Sequence, residues 1–256
     1  MRFLVTNDDG ITSSGIRALA DAAIRRGHEV LVSAPDTQCS ANGQHITLTA
    51  PLIVHEKPWE GAKAFSVKGT PADCVRLAPF LTDNERFDFC LSGINNSENA
   101  GPAIYYSGTA AAAREAAMAY IPAMAVSVMK GAGEKALEKS ADTAVRLAEY
   151  FEKEPLPRCA FINLNAPAID PDEWKGLRVC PMSKAFFLDR YVRRKSPYGT
   201  TYYWLDEAEN SPIAMEEPEL GSDYDLLRQG YVTCTFLGVY MDHNGECAEK
   251  MRDFRP

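Results

Sequence analysis

The chain lacks most of the features that would classify it at a glance. It has no apolar run approaching the roughly 20 residues a transmembrane helix needs, and its start has no basic stretch followed by the apolar segment of a secretory signal. It has no surplus of positive charge: 27 Lys and Arg stand against 35 Asp and Glu, a formal net charge of −8. That balance argues against a general nucleic-acid surface, which needs a basic face. It leaves room for a small phosphorylated substrate, because a bound cation supplies positive charge locally. The four histidines (28, 45, 55 and 243) are scattered without metal-ligand spacing, so a histidine-based mechanism has little support. The seven cysteines (39, 74, 90, 159, 180, 234 and 247) include no CxxC pair. Several, such as Cys90 in Phe87-Asp88-Phe89-Cys90-Leu91, sit in strand-like apolar runs, which suits buried thiols in a reducing cytoplasm better than disulfides or zinc. Internal repeats and long low-complexity segments are absent as well.

What is present is a strand–helix alternation. At 256 residues, with 46% hydrophobic and 24% charged residues, the chain has the length and composition of one large α/β domain or a domain with an appended lobe. Arg2-Phe3-Leu4-Val5-Thr6 reads as a buried strand. Ser13-Ser14 can cap a helix whose apolar positions Ile16, Leu19, Ala20, Ala23 and Ile24 fall on one face, ending at Arg25-Arg26-Gly27. A strand over 28–34 closes a βαβ unit, and right-handed crossover makes its strands parallel. Helices are expected over 75–81, 110–120 and 138–151, with strands over 87–91, 123–129 and 160–164, the pattern of a doubly wound sheet. Beyond about 165 the alternation breaks. Two strands, 186–192 and 200–205, flank Ser196-Pro197-Tyr198-Gly199 as a long hairpin, a polar acidic loop is expected over 206–219, and a late strand over 231–237 rejoins the sheet. A hairpin projecting from a chain of this size points to an oligomer.

The strand ends carry the chemistry. The first strand stops in Asn7-Asp8-Asp9-Gly10. Two adjacent carboxylates repel unless a cation sits by them, and a hard divalent ion held by oxygen ligands resolves that repulsion. The competing reading makes Asp8 and Asp9-Gly10 a solvated turn. Three further loops follow strand ends or open a helix: Asp36 to Gly43 with Ser40, Ser92 to Gly101 with Asn95 and Asn99, and Tyr106-Ser107-Gly108-Thr109-Ala110. In the last of these Ser107 or Thr109 can cap a helix whose exposed N–H groups suit an anion. Each has a plain structural alternative as an ordinary loop serine, turn asparagine or cap. Together they suggest metal-assisted phosphate chemistry.

The ordered set of segments resembles the SurE family of metal-dependent nucleoside-monophosphate phosphatases, the stationary-phase survival proteins. The resemblance runs through Asn7-Asp8-Asp9-Gly10; Ala34-Pro35-Asp36 with Ser40 and Ile46-Thr47-Leu48; Lys68-Gly69-Thr70-Pro71-Ala72-Asp73-Cys74-Val75; Ser92-Gly93-Ile94-Asn95; Tyr106 to Ala110; Asn163-Leu164-Asn165-Ala166-Pro167; and Gly221-Ser222-Asp223 with Gly230-Tyr231-Val232. It implies a Rossmann-like, doubly wound, mostly parallel α/β sheet over residues 1–256, with a core of about 1–165 and 221–240. A C-terminal projecting β-hairpin at about 185–206 would serve oligomerisation. It further implies a cytoplasmic 5′-nucleotidase that releases phosphate from nucleoside monophosphates by metal-activated water, acting as a homodimer or homotetramer without nucleic-acid polymer or membrane partners. Activity on 3′-nucleotides is a further expectation.

Carried over by position, the resemblance makes Asp8, Asp9, Ser40 and Asn95 the ligands of one Mg²⁺ or Mn²⁺ ion per subunit. Asp8 and Asp9 become the catalytic carboxylates, and Asn99, Ser107, Gly108 and Thr109 hold the phosphate. The chain departs from the family pattern in three places. Ser97-Glu98 stands where glycine is usual, Cys39 and Ala41 flank Ser40, and Thr233-Cys234-Thr235-Phe236-Leu237 replaces the usual Ser-Ile-Thr-Pro-Leu. Other phosphate-handling folds fit less well. The Asp-x-Asp of haloacid-dehalogenase-type phosphatases is missing because Asn7 stands two before Asp9, and the phosphoacceptor and lysine of a receiver have no counterpart. A Gly-x-Gly-x-x-Gly turn is not supplied by Gly10 to Gly15. A non-catalytic metal- or nucleotide-binding protein is the alternative of a different class.

Overall fold

The computed structural model describes residues 1–188, 190–205 and 214–240. The expected acidic loop lies outside these residues over 206–213, as do His243 and Cys247. The elements run β1 (Arg2–Thr6), α1 (Ser14–Arg25), β2 (Glu29–Pro35), β3 (Ile53–Lys57), β4 (Lys63–Lys68), α2 (Pro71–Leu77), β5 (Phe89–Asn95), α3 (Gly108–Met118), β6 (Ala123–Val128), α4 (Glu134–Lys153) and β7 (Ala160–Ala166). After these come β8 (Leu177–Val179), β9 (Phe187–Leu188), β10 (Tyr191–Lys195), β11 (Thr201–Leu205), β12 (Ala214–Met215), α5 (Asp223–Arg228) and β13 (Val232–Gly238).

Among the described residues the main sheet has nine strands in the order β3-β4-β2-β1-β5-β6-β7-β13-β8. The run from β4 to β7 is parallel throughout, while β3 and β13 pair antiparallel with β4 and β7. The fold is thus the Rossmann-like, mostly parallel α/β sheet with a separate antiparallel hairpin. Its topology reverses between β1 and β5, because the chain moves outward from β1 to β2 and β4 and then returns to the other side of β1. The crevice at such a reversal, outside the carboxyl ends of the strands, is where open α/β sheets bind ligands.

Alternation along the strands divides the core into two layers. Phe3 and Val5, Phe89 and Leu91, Met124 and Val126, Ile162 and Leu164 pack with Ile16, Leu19 and Ala23 of α1 and Ala141, Ala144 and Val145 of α4. Leu4, Cys90, Ala123, Ala125 and Phe161 face the other way, onto Val75 and the alanines of α3. Each fully buried large side chain contributes about 1.5–3 kcal/mol relative to exposure. The small side chains of α3 let it lie close to the sheet, buried almost all round. Gly15 does the same for α1: a Cβ there would stand 2.0 Å from the carbonyl oxygen of Ile94.

Three expectations need correction. Strand β5 does not stop at Leu91 but runs through Ser92-Gly93-Ile94 to Asn95, so the first four residues of the expected third loop are strand. The first turn of α2 begins at Pro71 rather than Val75, because Thr70 and Asp73 form a reciprocal capping box ahead of it. The segment expected as one strand over 186–192 is divided: Phe187–Leu188 pairs with Ala214–Met215, and only Tyr191–Lys195 pairs with Thr201–Leu205. The six described cysteines are free thiols, and all but Cys39 are buried. Among the described residues no helix is long and apolar enough to cross a membrane.

Candidate functional site

The turn after β1 is built around Asn7. Its buried amide donates to the Gly10 carbonyl at 2.9 Å and to Ser13 Oγ at 2.8 Å, joining the turn to the N-cap of α1. The Asp8 side chain is thereby aimed at the start of α3. There Thr109 donates twice to it, from its N–H at 3.0 Å and its hydroxyl at 2.5 Å. Gly108 makes that approach feasible, since a Cβ at this position would lie 2.7 Å from Asp8 Cβ. Ser107 caps the same helix, its Oγ accepting from Ala110 N at 3.1 Å.

Asp9 is held less tightly. It accepts a long hydrogen bond of 3.4 Å from Gln38 Nε2, and the backbone N–H of Asn96 offsets part of the rise in its pKa. Gln38 also donates to Ser40 Oγ at 2.9 Å, so one amide links the loops after β1 and β2. Asn95, the last residue of β5, donates from Nδ2 to the Ser97 carbonyl at 2.6 Å, which fixes which end of its amide is the oxygen. Burial raises the pKa of both aspartates. For Asp8 the neighbouring Asp9 charge adds to the rise, and the Thr109 hydrogen bonds offset part of it. The pair is short of positive charge where it sits.

Asp8, Asp9, Ser40, Asn95, Asn99 and Ser107 all line one cavity of about 400 Å³, together with Gln38, Asn96 and Tyr106. A volume of that size accommodates a small organic ligand. Gly108 and Thr109, expected at the phosphate, do not line it. Thr109 is fully buried with its donors committed to Asp8, so it orients a carboxylate. The side chain of Glu98, one of the departures from the family pattern, is turned onto the Lys130 N–H at 3.1 Å and accepts from the Tyr224 hydroxyl at 3.2 Å.

Sequence reasoning missed the groups that hold Asn99. Its amide donates to Ser127 Oγ at 2.8 Å, its N–H donates to Asn165 Oδ1 at 2.8 Å, and its carbonyl accepts from Asn163 Nδ2 at 2.7 Å. Ser127 ends the alternation Ala123, Ala125, Ser127 on β6, and Asn163 and Asn165 continue Phe161 on β7. Polar residues at every second position of an otherwise apolar strand were the signal available. Gln38 was legible only as one more polar loop residue.

The donors converging here are carboxylate, hydroxyl and amide oxygens. Among the described residues no group of three or more His, Cys, Asp or Glu is placed to hold a metal. A transition-metal cage of nitrogen and sulfur ligands is therefore not what the site offers. Two carboxylates and neutral oxygens do fit a hard ion such as Mg²⁺ or Mn²⁺, which needs few protein ligands. The Thr109 hydrogen bonds occupy only part of the lone-pair capacity of Asp8.

The family model described as "Survival protein SurE" matches residues 3–188. The chain is 41% identical over 258 residues to the 5′-nucleotidase SurE of Desulfovibrio desulfuricans, covering 98% of each protein. It is 36% identical over 242 residues to the 5′-nucleotidase SurE of Kosmotoga olearia, covering 94% of this chain and 93% of that one. The crystal structure of the SurE protein from Aquifex aeolicus is similar over 98% of both chains, with a TM-score of 0.81 and 33% sequence identity.

Proposed function

The chain belongs to the SurE family, and from that premise we propose that it is a metal-dependent 5′-nucleotidase, releasing phosphate from nucleoside monophosphates. The observation that carries the reading is the convergence of Asp8, Asp9, Ser40, Asn95, Asn99 and Ser107 on one cavity at the reversal point of the sheet. Asp8, Asp9, Ser40 and Asn95 would hold the divalent ion, Mg²⁺ or Mn²⁺. When bound, such an ion supplies Lewis acidity toward water and a phosphoryl oxygen.

The residues of the chain divide the remaining work. Thr109 fixes the Asp8 carboxylate in one orientation, and Gln38 keeps Asp9 and Ser40 in register across two loops. Asn99, immobilised by Ser127, Asn163 and Asn165, and the Ser107 hydroxyl at the start of α3 receive the phosphoryl oxygens. The more loosely bonded Asp9 carboxylate takes the proton of the attacking water, since both oxygens of Asp8 already accept from Thr109. Preorganised dipoles of this kind stabilise charge without reorganising as it develops.

Two further readings accompany it. The hairpin exposes Tyr203 and Trp204, which supports assembly as a homodimer or homotetramer; a monomer in sedimentation equilibrium refutes that. The free thiols suit a reducing compartment, the cytoplasm, and recovery of the protein from an oxidising compartment refutes it.

The deciding experiment is phosphate release from a panel of 5′- and 3′-nucleotides with Mg²⁺, Mn²⁺ or EDTA, comparing the wild type with Asp9→Asn. Turnover of 5′-nucleotides that needs metal and collapses in the variant is expected. A folded wild type that binds nucleotides and turns over none with any metal overturns the enzymatic reading in favour of a binding protein.

A further inference from the structure

Asp223 is a fully buried carboxylate that none of the roles above uses. It accepts three backbone hydrogen bonds: from Ser183 N at 2.8 Å and Tyr224 N at 2.8 Å to Oδ1, and from Gly101 N at 2.9 Å to Oδ2. Charge-assisted bonds of this kind are short and directional, so they fix the three segments relative to one another. Gly101 opens the single turn Gly101–Tyr105 that leads into Ser107. The adjacent residue reaches the same segment from the other side, the Tyr224 hydroxyl donating to Glu98 Oε1 at 3.2 Å. Consecutive residues of α5 therefore hold positions 98 and 101, and Asn99 lies between them on the cavity wall. Ser183 in turn donates from its hydroxyl to Glu219 Oε2 at 3.0 Å, closing the base of the excursion that carries the hairpin.

We propose that Asp223 and Tyr224 are positioning residues for the phosphate side of the site, acting through Glu98 and Gly101 to present Asn99 and Ser107 to one phosphoryl group. The proposal rests on the reading that Asn99 and Ser107 receive phosphate. Neither Asp223 nor Tyr224 lines the cavity; the effect passes through the 98–107 segment. Asn in place of Asp223 sets an NH₂ group against a backbone N–H that needs an acceptor, whereas Tyr224→Phe removes a single hydroxyl and keeps the ring.

The test is calorimetric binding of inorganic phosphate, and separately of the nucleoside, to Mg²⁺-loaded wild type, Asp223→Asn and Tyr224→Phe, with folding checked by circular dichroism. The phosphate Kd is expected to rise about threefold in Tyr224→Phe and about tenfold or more in Asp223→Asn, while the nucleoside Kd stays within about twofold. KM for the nucleotide should rise in parallel, with kcat changing less. A uniform loss of active protein lowers kcat and leaves the phosphate Kd in place, and that result overturns the proposal. So does an equal weakening of phosphate and nucleoside. If Asp223→Asn does not fold, an unchanged phosphate Kd in Tyr224→Phe is enough to reject it. A wild type that turns over nucleotides while the variants bind phosphate normally removes the positioning role alone. A wild type that neither binds phosphate nor turns over removes the functional reading with it.

Discussion

At the amino-terminal end of the sheet, where β1, β2 and β5 begin, charges meet opposite charges. Arg2 pairs with Glu29 and Glu85, and its N–H donates to Asp88 at 2.7 Å. Glu149 on α4 accepts two hydrogen bonds from Arg26, at 2.8 and 2.7 Å, and lies 2.9 Å from His28. At the carboxyl end, two adjacent aspartates share a crevice with hydroxyls and amides, and burial raises the pKa of both. One end pairs its charges with opposite charges; the other sets two like charges side by side. Under the proposed function, the same sheet separates groups that contribute stability from groups that bind a ligand, and substitutions at the two ends should have opposite signatures.

The largest contrast is in activity. Asp9→Asn should lower phosphate release at least about a hundredfold, since even outer-shell partners of a metal site cost 10–100-fold, while Glu149→Gln should stay within about twofold. Comparable losses in both would erase the distinction. Next is the response to metal: Mg²⁺ at about one hundred times its Kd should stabilise the wild type by about 2.7 kcal/mol, read as a rise in Tm that EDTA reverses and that Asp9→Asn largely loses. Gly108→Ala comes third. Its Cβ would lie 2.7 Å from Asp8 Cβ, and overpacking of this kind costs about 1–3 kcal/mol, so both urea stability and turnover should fall. A variant indistinguishable from wild type would show that α3 yields easily.

The amino-terminal end gives a smaller effect. Hydrogen bonds from Arg26, and then from His28, hold the Glu149 pKa down at about 2 from its ordinary value of 4.5. A carboxylate lowered in the folded state adds stability that is fully present above about 4.5 and lost as pH falls through about 2. Glu149→Gln should therefore cost about 1 kcal/mol at neutral pH, with solvent screening keeping the figure low. The difference should disappear in acid melts near the lower value. Smallest of all, Asp9→Asn in EDTA should gain a few tenths of a kcal/mol, because it relieves a like-charge neighbour without breaking an ion pair. A loss of stability instead would mean that Asp9 is structurally satisfied.

The two ends also differed in how well the sequence announced them. The βαβ unit of residues 2–35 was plain, because Ile16, Leu19 and Ala23 recur at helical spacing between two apolar strands. The acid pair was plain because charge at the end of a buried strand is costly. The extension of β5 to Asn95 was hidden: Ser92, Gly93 and Asn95 have weak strand preference, and pairing with β6 along the whole stretch, joined by β1 at Ser92, overrides it. The edge strand β3 went unread because Ile53–Lys57 is largely exposed and polar, with little alternation to detect. The role of Thr109 was obscured by a contact 101 residues away in the chain. A cap residue looks the same in sequence whether its donors face a ligand or a neighbouring carboxylate.

The bond from Gly101 to Asp223 spans 122 residues, and that separation orders events in time as the chain is made. Strands β1 to β7 are complete by Ala166, so the crevice between β1 and β5 can take shape while the ribosome is still at work. The wall that carries Asn99 cannot be fastened until Asp223 has been added. At about 5–20 residues per second, roughly 6–24 s pass between the two residues. During that interval the nascent protein holds its acidic turn without the finished pocket, whose wall is fastened only once Asp223 has followed Gly101 by 122 residues.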